Sequence, residues 1–170
     1  GGMNYGFSCS SDYRRPLHGD LWMGLNSYCE GWKRYMGSFL RYRPLPYLSV
    51  ELELDWSTTS NARRYNWETG SWELRDTDWR SGELSAGWMF SNDLSLRLTS
   101  QLSRFWLQWD SGSSGREYSH WLNALLSWSF RPGSIFYIMA GENAEPDPVT
   151  GDPQDPEFTV YTKLTWFLSI

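Results

Sequence analysis

The sequence predicts an all-β fold and, within that class, an antiparallel transmembrane β-barrel of about eight strands or the C-terminal part of a larger one. Residues 1–170 would form a single barrel domain or barrel segment, with no separate soluble domain. Short segments alternate apolar and polar side chains, as strands with one apolar face do. Aromatic residues make up 18% of the chain, yet its mean hydropathy is only -0.57. That combination is typical of barrels, because only half of each strand faces lipid while Trp and Tyr gather at the membrane interfaces.

Nine strands are predicted from this alternation, and no helical apolar stripe interrupts them. The predicted strands span residues 4–11, 21–30, 33–42, 48–58, 78–90, 94–107, 118–130, 135–142 and 157–169. The fourth shows the pattern most clearly, with Leu48, Val50, Leu52, Leu54 and Trp56 alternating with Ser49, Glu51, Glu53 and Asp55. The last strand alternates in the same way from Phe158 to Ile170. Its end resembles the amphipathic terminal strand of outer-membrane barrels.

Short and long connections alternate along the chain. Residues 43–47, 91–93 and 131–134 read as tight turns, because Pro, Gly, Asn and Asp stand where turn dihedrals require them. Residues 59–77, 108–117 and 143–156 read as long loops. Outer-membrane barrels show this asymmetry between periplasmic turns and extracellular loops.

The turn lengths also predict which residues share a face. A three-residue turn keeps Phe90 and Leu94 on one face, whereas a four-residue turn at 131–134 moves the apolar face to Ile135, Tyr137 and Met139.

Three groups of candidate site residues follow from the predicted faces. The lipid-facing residues are Leu48, Val50, Leu52, Leu54, Leu96, Leu98, Leu126 and Leu164. The charge network of the lumen comprises Arg41, Arg43, Glu51, Glu53, Asp55, Glu83, Arg97 and Lys163. The interface aromatics are Trp56, Trp79, Trp88, Trp128 and Trp166. In an eight-stranded barrel these charges would plug the interior, whereas a larger barrel would leave a channel.

Several function classes are disfavoured. The formal net charge of −5 and the absence of a basic stripe argue against nucleic-acid binding. The longest uncharged apolar run, 135–141, is too short for a membrane-spanning helix. His120 has Ser103 and Ser119 as candidate nucleophiles, but no spacing selects a catalytic set, so no enzyme is predicted.

No cofactor or metal is predicted either. The acidic segment with Glu142, Glu145, Asp147, Asp152, Asp155 and Glu157 lacks ordered ligand spacing and reads as a solvated extracellular loop, which divalent ions could bridge to lipopolysaccharide. Cys9 and Cys29 lie in neighbouring predicted strands, where one disulfide is an alternative to two unpaired thiols.

Residues 40–44, 88–96 and above all 128–137, with their Arg-Pro-Gly-Ser turn and flanking aromatics, resemble the C-terminal barrel of a family of outer-membrane proteins of unknown function. The resemblance covers about residue 41 to the end. In that family a periplasmic β-sandwich similar to a carbohydrate-binding module precedes the barrel, and this chain has no room for it. The resemblance implies an outer-membrane location.

We therefore predict a non-enzymatic scaffold or anchor in the outer membrane of a Gram-negative-type bacterium, contacting the lipid bilayer, lipopolysaccharide or a protein partner. A channel for a small polar solute and a soluble Trp-rich lectin or ligand-binding barrel are the alternatives. The start of the chain lacks a signal-peptide pattern, which indicates a mature form or a fragment. Nine strands also conflict with the even number of bacterial barrels, so either residues 4–11 lie outside the membrane set or upstream strands are missing.

Overall fold

The computed structural model describes residues 2–144, 147 and 154–166, and these form one nine-stranded sheet in chain order. Its strands are β1 (Asn4–Ser10), β2 (Leu17–Tyr28), β3 (Gly31–Leu45), β4 (Leu48–Asn66), β5 (Ser71–Met89), β6 (Leu94–Trp109), β7 (Ser114–Arg131), β8 (Ser134–Ala144) and β9 (Glu157–Thr165). Every neighbouring pair is antiparallel. The all-β, antiparallel part of the prediction is confirmed. Among the described residues, no helix is long and apolar enough to cross a bilayer.

Two predicted long loops are instead continuations of strands. Residues 59–77 extend β4 and β5 to 19 residues each, and their ladder runs out to the pair Asn66 and Ser71. The hairpin closes through residues 67–70, where Gly70 adopts a φ of 68° that favours glycine. Residues 108–117 likewise shorten to a turn at 110–113. Thr, Tyr and Trp recur within residues 59–77 and are compatible with strands, and pairing between β4 and β5 holds this segment extended.

The connections define two ends of the sheet. The end that carries connections 11–16, 46–47, 90–93 and 132–133 is called the base, and the opposite end, with 29–30, 67–70 and 110–113, the far end. The connection after Ala144 is also at the far end, mostly outside the described residues. β4 to β7 extend well past their apolar residues toward the far end. The two ends of the sheet therefore differ mainly in how far the strands extend, whereas the sequence predicted a difference in loop length.

Register assigns alternate residues to two faces. The apolar face contains rows such as Leu40, Leu52 and Leu84, which are direct cross-strand partners. The polar face contains rows such as Glu51, Ser85 and Thr99. Each row is continuous because neighbouring strands pair with few shifts.

The turn between β7 and β8 does not move the apolar face as predicted. A bulge between Ser129 and Arg131 absorbs one residue, and Arg131 then pairs with Ser134 across Pro132 and Gly133. The extra residue cancels the change of face that a four-residue turn would otherwise cause, so even-numbered residues stay on the apolar face in β8. Trp128 therefore pairs with Phe136, while Ile135 pairs with Ser129 on the polar face. Tyr137 and Met139 follow Ile135 there, and Ile138 follows Phe136 on the apolar face.

The sheet is not closed into a barrel, in contrast to the predicted closure. Its edge strands β1 and β9 each have one neighbour among the described residues. Since neighbouring strands alternate in direction, β1 and β9 run the same way, from the far end toward the base. Direct pairing of these edges would create one parallel ladder in an otherwise antiparallel sheet. The odd strand count is thus the obstacle to simple closure.

Both cysteines are free and exposed. Cys9 pairs with Leu21 near the base, whereas Cys29 lies in the turn at the far end of β2. Eight residues of extended strand separate Leu21 from Cys29, which is about 27 Å. That separation rules out an intramolecular disulfide in this fold.

Candidate functional site

The apolar face has no charged side chain across the middle of four adjacent strands. The charge-free stretches are 48–56, 82–88, 94–102 and 122–128, considering only the residues whose side chains lie on that face. A nine-residue stretch is about 27 Å long, close to the apolar band of roughly 25 Å on transmembrane barrels. Leu54 and Leu98 are 48% and 45% exposed, so nothing in the described chain covers this face.

All eight residues predicted to face lipid lie on the apolar face. Leu48, Leu96 and Leu126 belong to a single cross-strand row that also includes Trp88. Val50 and Leu98 belong to the next row, with Ala86 between them. The others are Leu52 and Leu54 on β4 and Leu164 on β9.

Aromatic rings border the apolar face at the base. Trp88 stacks on Phe90 with ring centroids 5.4 Å apart, and Phe130 lies 5.6 Å from Trp128 and 5.5 Å from Trp166. These two groups of rings make an aromatic edge at the base, as expected where a barrel meets lipid headgroups.

Toward the far end, the two tryptophans predicted to lie at the membrane interface are on different faces of the sheet. Trp56 lies on the apolar face, and its Nε1 donates to Asp78 Oδ2 at 3.1 Å. Trp79 lies on the polar face, because it pairs with Ser57 and Phe105 in the odd-numbered rows. The correction for Trp79 follows from strand alternation, since position next to a loop says nothing about which face a side chain occupies.

The polar face brings three of the predicted network residues together. Arg41 and Glu51 are direct cross-strand partners, and Arg41 Nε donates to Glu51 Oε1 at 2.8 Å. Arg97 Nη2 approaches the other oxygen, Glu51 Oε2, at 3.9 Å. One carboxylate is therefore shared by two guanidinium groups, which reduces the cost of holding all three charges partly away from water.

The remaining predicted charges do not join that cluster. Glu53 lies directly opposite Glu83, and Asp55 follows Glu53 on the same face, so three carboxylates are neighbours. Like charges directly opposite each other destabilise a sheet. Arg43 is near the base, and Lys163 lies on β9 opposite Tyr137, five strands away from β4.

Hydroxyl pairs cross the polar face, a feature that the sequence reasoning missed. Ser85 and Thr99 oxygens lie 3.2 Å apart, those of Ser95 and Ser127 2.8 Å apart, and those of Ser103 and Ser119 2.5 Å apart. The signal was present, because serine and threonine recur at odd positions in β5 to β7. What the sequence lacked was the register that pairs them.

Aromatic rings also cover glycines on this face. A Cβ atom on Gly37 would overlap the Trp22 indole, and one on Gly24 would overlap the Tyr35 ring. Each glycine is the direct cross-strand partner of its aromatic residue. The absent side chain thus makes room for the neighbouring ring to lie flat on the sheet.

The side chains considered for catalysis are on different faces. Ser103 and Ser119 hydrogen-bond to each other on the polar face, whereas His120 lies on the apolar face opposite Leu102. No Ser–His pair forms among these three residues. His18 Nε2 donates to Asp20 Oδ2 at 3.1 Å, and His18 Nδ1 contacts Ser11 near the base.

Within residues 2–144, 147 and 154–166, no group of three or more His, Cys, Asp or Glu side chains is arranged to hold a metal ion. Glu145 and Asp152 of the predicted acidic loop lie outside the described residues.

Comparison with known proteins gives no match, either to a family model or to a curated protein. Function is therefore inferred from the two faces of the sheet.

Proposed function

We propose that this chain is a barrel-forming segment of a bacterial outer-membrane protein, with its apolar face against lipid and its polar face toward a hydrated interior. The observation that supports this most strongly is the uncovered apolar face, with charge-free stretches on four adjacent strands, opposite a face of hydroxyl and charged groups. Its role is that of a non-enzymatic scaffold or anchor whose far end contacts lipopolysaccharide or a protein partner.

The energetics of burial favour a lipid environment. Among the described residues, only Ala62 and Ala144 are buried hydrophobics, while large side chains such as Leu84 remain half exposed. A soluble domain of this size covers most of its apolar surface, and each fully buried leucine contributes about 1.5–3 kcal/mol. A bilayer would supply that burial from outside, so the protein itself needs no apolar core.

The free edges favour a larger barrel over eight strands. An antiparallel barrel needs an even number of strands, so nine require an odd number of further strands between β9 and β1. Closure of β2 on β9 would give eight strands with a correct antiparallel junction. However, β1 occupies that edge of β2 over seven paired residues.

An outer-membrane location of a Gram-negative-type bacterium is proposed because only barrels and helices satisfy every backbone group in lipid. The aromatic edge at the base and the extended hairpins at the far end match the periplasmic and extracellular ends of such barrels. The family resemblance of residues 41–170 agrees with this location.

Two lysine substitutions at neighbouring positions test the proposal. Leu98 lies on the apolar face and Thr99 on the polar face at nearly the same height. In flotation with phosphatidylcholine vesicles, Leu98→Lys should reduce membrane association, since a lysine facing midplane lipid costs about 2–4 kcal/mol. Thr99→Lys is the matched control and should float with the vesicles.

Equal behaviour of the two variants, or a monodisperse chain without detergent, would contradict the lipid-facing assignment. The second result would favour the soluble lectin-like alternative.

A channel for a small polar solute is the second candidate, and the paired charges on the polar face favour it. Arg41, Glu51 and Arg97 would then line the pathway. Reversal of Glu51 and Glu53 to lysine should shift the reversal potential in planar bilayers toward anion preference. An unchanged potential, or the absence of channel currents, would count against transport.

A further inference from the structure

Four arginines lie on the apolar face just beyond its charge-free stretches, toward the far end. Arg34, Arg80, Arg104 and Arg116, here called the arginine rim, occupy two adjacent cross-strand rows. The row nearer the apolar stretches runs Met36, Trp56, Arg80, Arg104 and Tyr118, and the next runs Arg34, Thr58, Asp78, Trp106 and Arg116. Arg104 is two residues past Leu102, so it lies within about 7 Å of the apolar stretch along the strand.

The rim contains an unusual like-charge pair. Arg80 and Arg104 are direct cross-strand partners, a placement that ordinarily destabilises a sheet. Asp78 compensates one of them: its Oδ1 accepts from Arg80 Nε at 2.8 Å and its Oδ2 from Arg80 Nη2 at 3.2 Å. The same carboxylate also accepts the Trp56 indole N–H. Asp78 therefore hydrogen-bonds to Arg80 and Trp56, whereas Arg104 acts on it only as a nearby charge.

The other three rim arginines form no close ion pair in the described part of the chain. Arg34, Arg104 and Arg116 take part in none of its ion pairs, and no aromatic ring lies beneath their guanidinium groups. Asp76, the other acidic group on this part of the face, accepts the backbone N–H of Asn61 at 2.7 Å. All three unpaired arginines are exposed.

A recess of about 430 Å³ lies among these groups, lined by the arginines Arg80, Arg104 and Arg116, the carboxylates Asp76 and Asp78, and Thr58 and Trp106 among others. The three guanidinium groups outnumber the two carboxylates, and both carboxylates already accept hydrogen bonds. The recess opens on the apolar face of the sheet, next to the leucines of the charge-free stretches. A group entering it would have its apolar part beside the charge-free stretches and its anionic part beside the arginines.

We propose that the arginine rim binds the phosphate of a membrane lipid headgroup, with the lipid's acyl chains lying along the adjacent apolar face. Guanidinium groups match phosphate geometry through paired N–H donors, and an anion between Arg80 and Arg104 would relieve their repulsion. This inference rests on the proposed membrane location and adds a defined anionic-lipid site to it.

A titration of the full chain in dodecyl maltoside tests the site, with dihexanoyl phosphatidic acid as probe. Dihexanoyl phosphatidylcholine and inorganic phosphate serve as comparison ligands. The double variant Arg104→Gln/Arg116→Gln should weaken phosphatidic acid binding about 25-fold, at roughly fivefold for each arginine removed. Calorimetry provides the dissociation constants.

The matched control is Arg63→Gln/Arg64→Gln, which removes the same charge from the distal part of β4. Arg63 is five residues, about 17 Å along β4, from Thr58 in the row of Arg116, which is beyond the screening length at physiological salt. Binding should therefore change by no more than about twofold. Equal losses in the two double variants would show a net-charge effect and overturn the site. Inorganic phosphate binding as tightly as phosphatidic acid would overturn the assignment to a lipid.

Vesicle flotation separates the two proposals. If wild-type chain fails to float, the membrane proposal fails. If wild type and Arg104→Gln/Arg116→Gln both float but bind phosphatidic acid equally, only the rim site fails.

Discussion

A single carboxylate, that of Glu73, organises the polar groups at the far end of the sheet. Glu73 lies near the tip of the β4–β5 hairpin, where Thr69, Ser71 and Asn66 hydrogen-bond to its carboxylate. Together with a hydrogen bond from Ser111, they lower the pKa of Glu73 to about 2. Ser111 belongs to the neighbouring turn at 110–113, so this carboxylate links two hairpins at the far end.

The first prediction concerns the pH dependence of that link. Because the folded pKa of about 2 is below the usual value of 4.5 for an unperturbed glutamate, the hydrogen bonds contribute fully above pH 4.5 and are lost as pH falls through about 2. Carboxyl carbon NMR should give a titration midpoint for Glu73 of about 2. In Ser111→Ala the pKa should rise toward 4.5, since Ser111 makes the largest contribution to the shift. A wild-type midpoint at 4.5 would contradict this account.

The second prediction concerns the glycine beneath an aromatic ring. Gly37→Ala places a methyl group where the Trp22 indole lies, so the ring must move off the sheet. We expect a loss of about 1–3 kcal/mol in the free energy of unfolding, measured by denaturant titration in detergent. Gly115→Ala is the control, because a Cβ there meets nothing within 4 Å. Equal stability of both variants would mean that Trp22 does not need the space.

At the level of elements, alternation and turn chemistry predicted most strands, while pairing decided their lengths. The predicted segment 48–58 matches the start of β4, because its alternation is strict. Its continuation to Asn66 was missed, since Arg63, Arg64 and Asn66 give no apolar period and only the partner strand β5 holds them extended. Hydrogen bonding between strands joins residues that are distant in the sequence, so it cannot be predicted from one segment alone.

The third prediction tests the bulge before the β7–β8 turn. Phe136 lies on the apolar face and Ile135 on the polar face, the reverse of what the turn length alone predicts. In vesicles, a spin label on Phe136→Cys should be accessible to lipid-soluble oxygen, and one on Ile135→Cys to a water-soluble nickel reagent. The opposite accessibilities would show that no bulge forms and that the four-residue turn sets the register.

For the whole molecule, the order of the strands could be predicted from the sequence, but whether the two edge strands pair with each other could not. Consecutive hairpins follow from short connections, so the chain order from β1 to β9 needed only local signals. Closure depends on strand count and direction across the entire sheet. The candidate site shows the same division: the face of Leu98 could be predicted from alternation, but the meeting of Arg80 with Arg104 required the register between β5 and β6.

The fourth prediction uses strand direction. Deleting residues 1–10 leaves β2 and β9 as edges that run in opposite directions, which permits an eight-stranded antiparallel closure. The shortened chain should then show a heat-modifiable, compact band on a gel after refolding in detergent, whereas the 170-residue chain should not. A compact band from both would show that β1 leaves β2 readily.

The long hairpin of β4 and β5 has a practical consequence. Its turn at 67–70 lies about 35 Å along the strand beyond Trp56, and the Trp67 side chain is 87% exposed. If the chain spans a membrane as proposed, a peptide inserted in this turn would be displayed to antibodies well clear of the lipid headgroups. Because the paired strands below it would keep their register, such an epitope would report which side of the membrane the hairpin occupies in living cells.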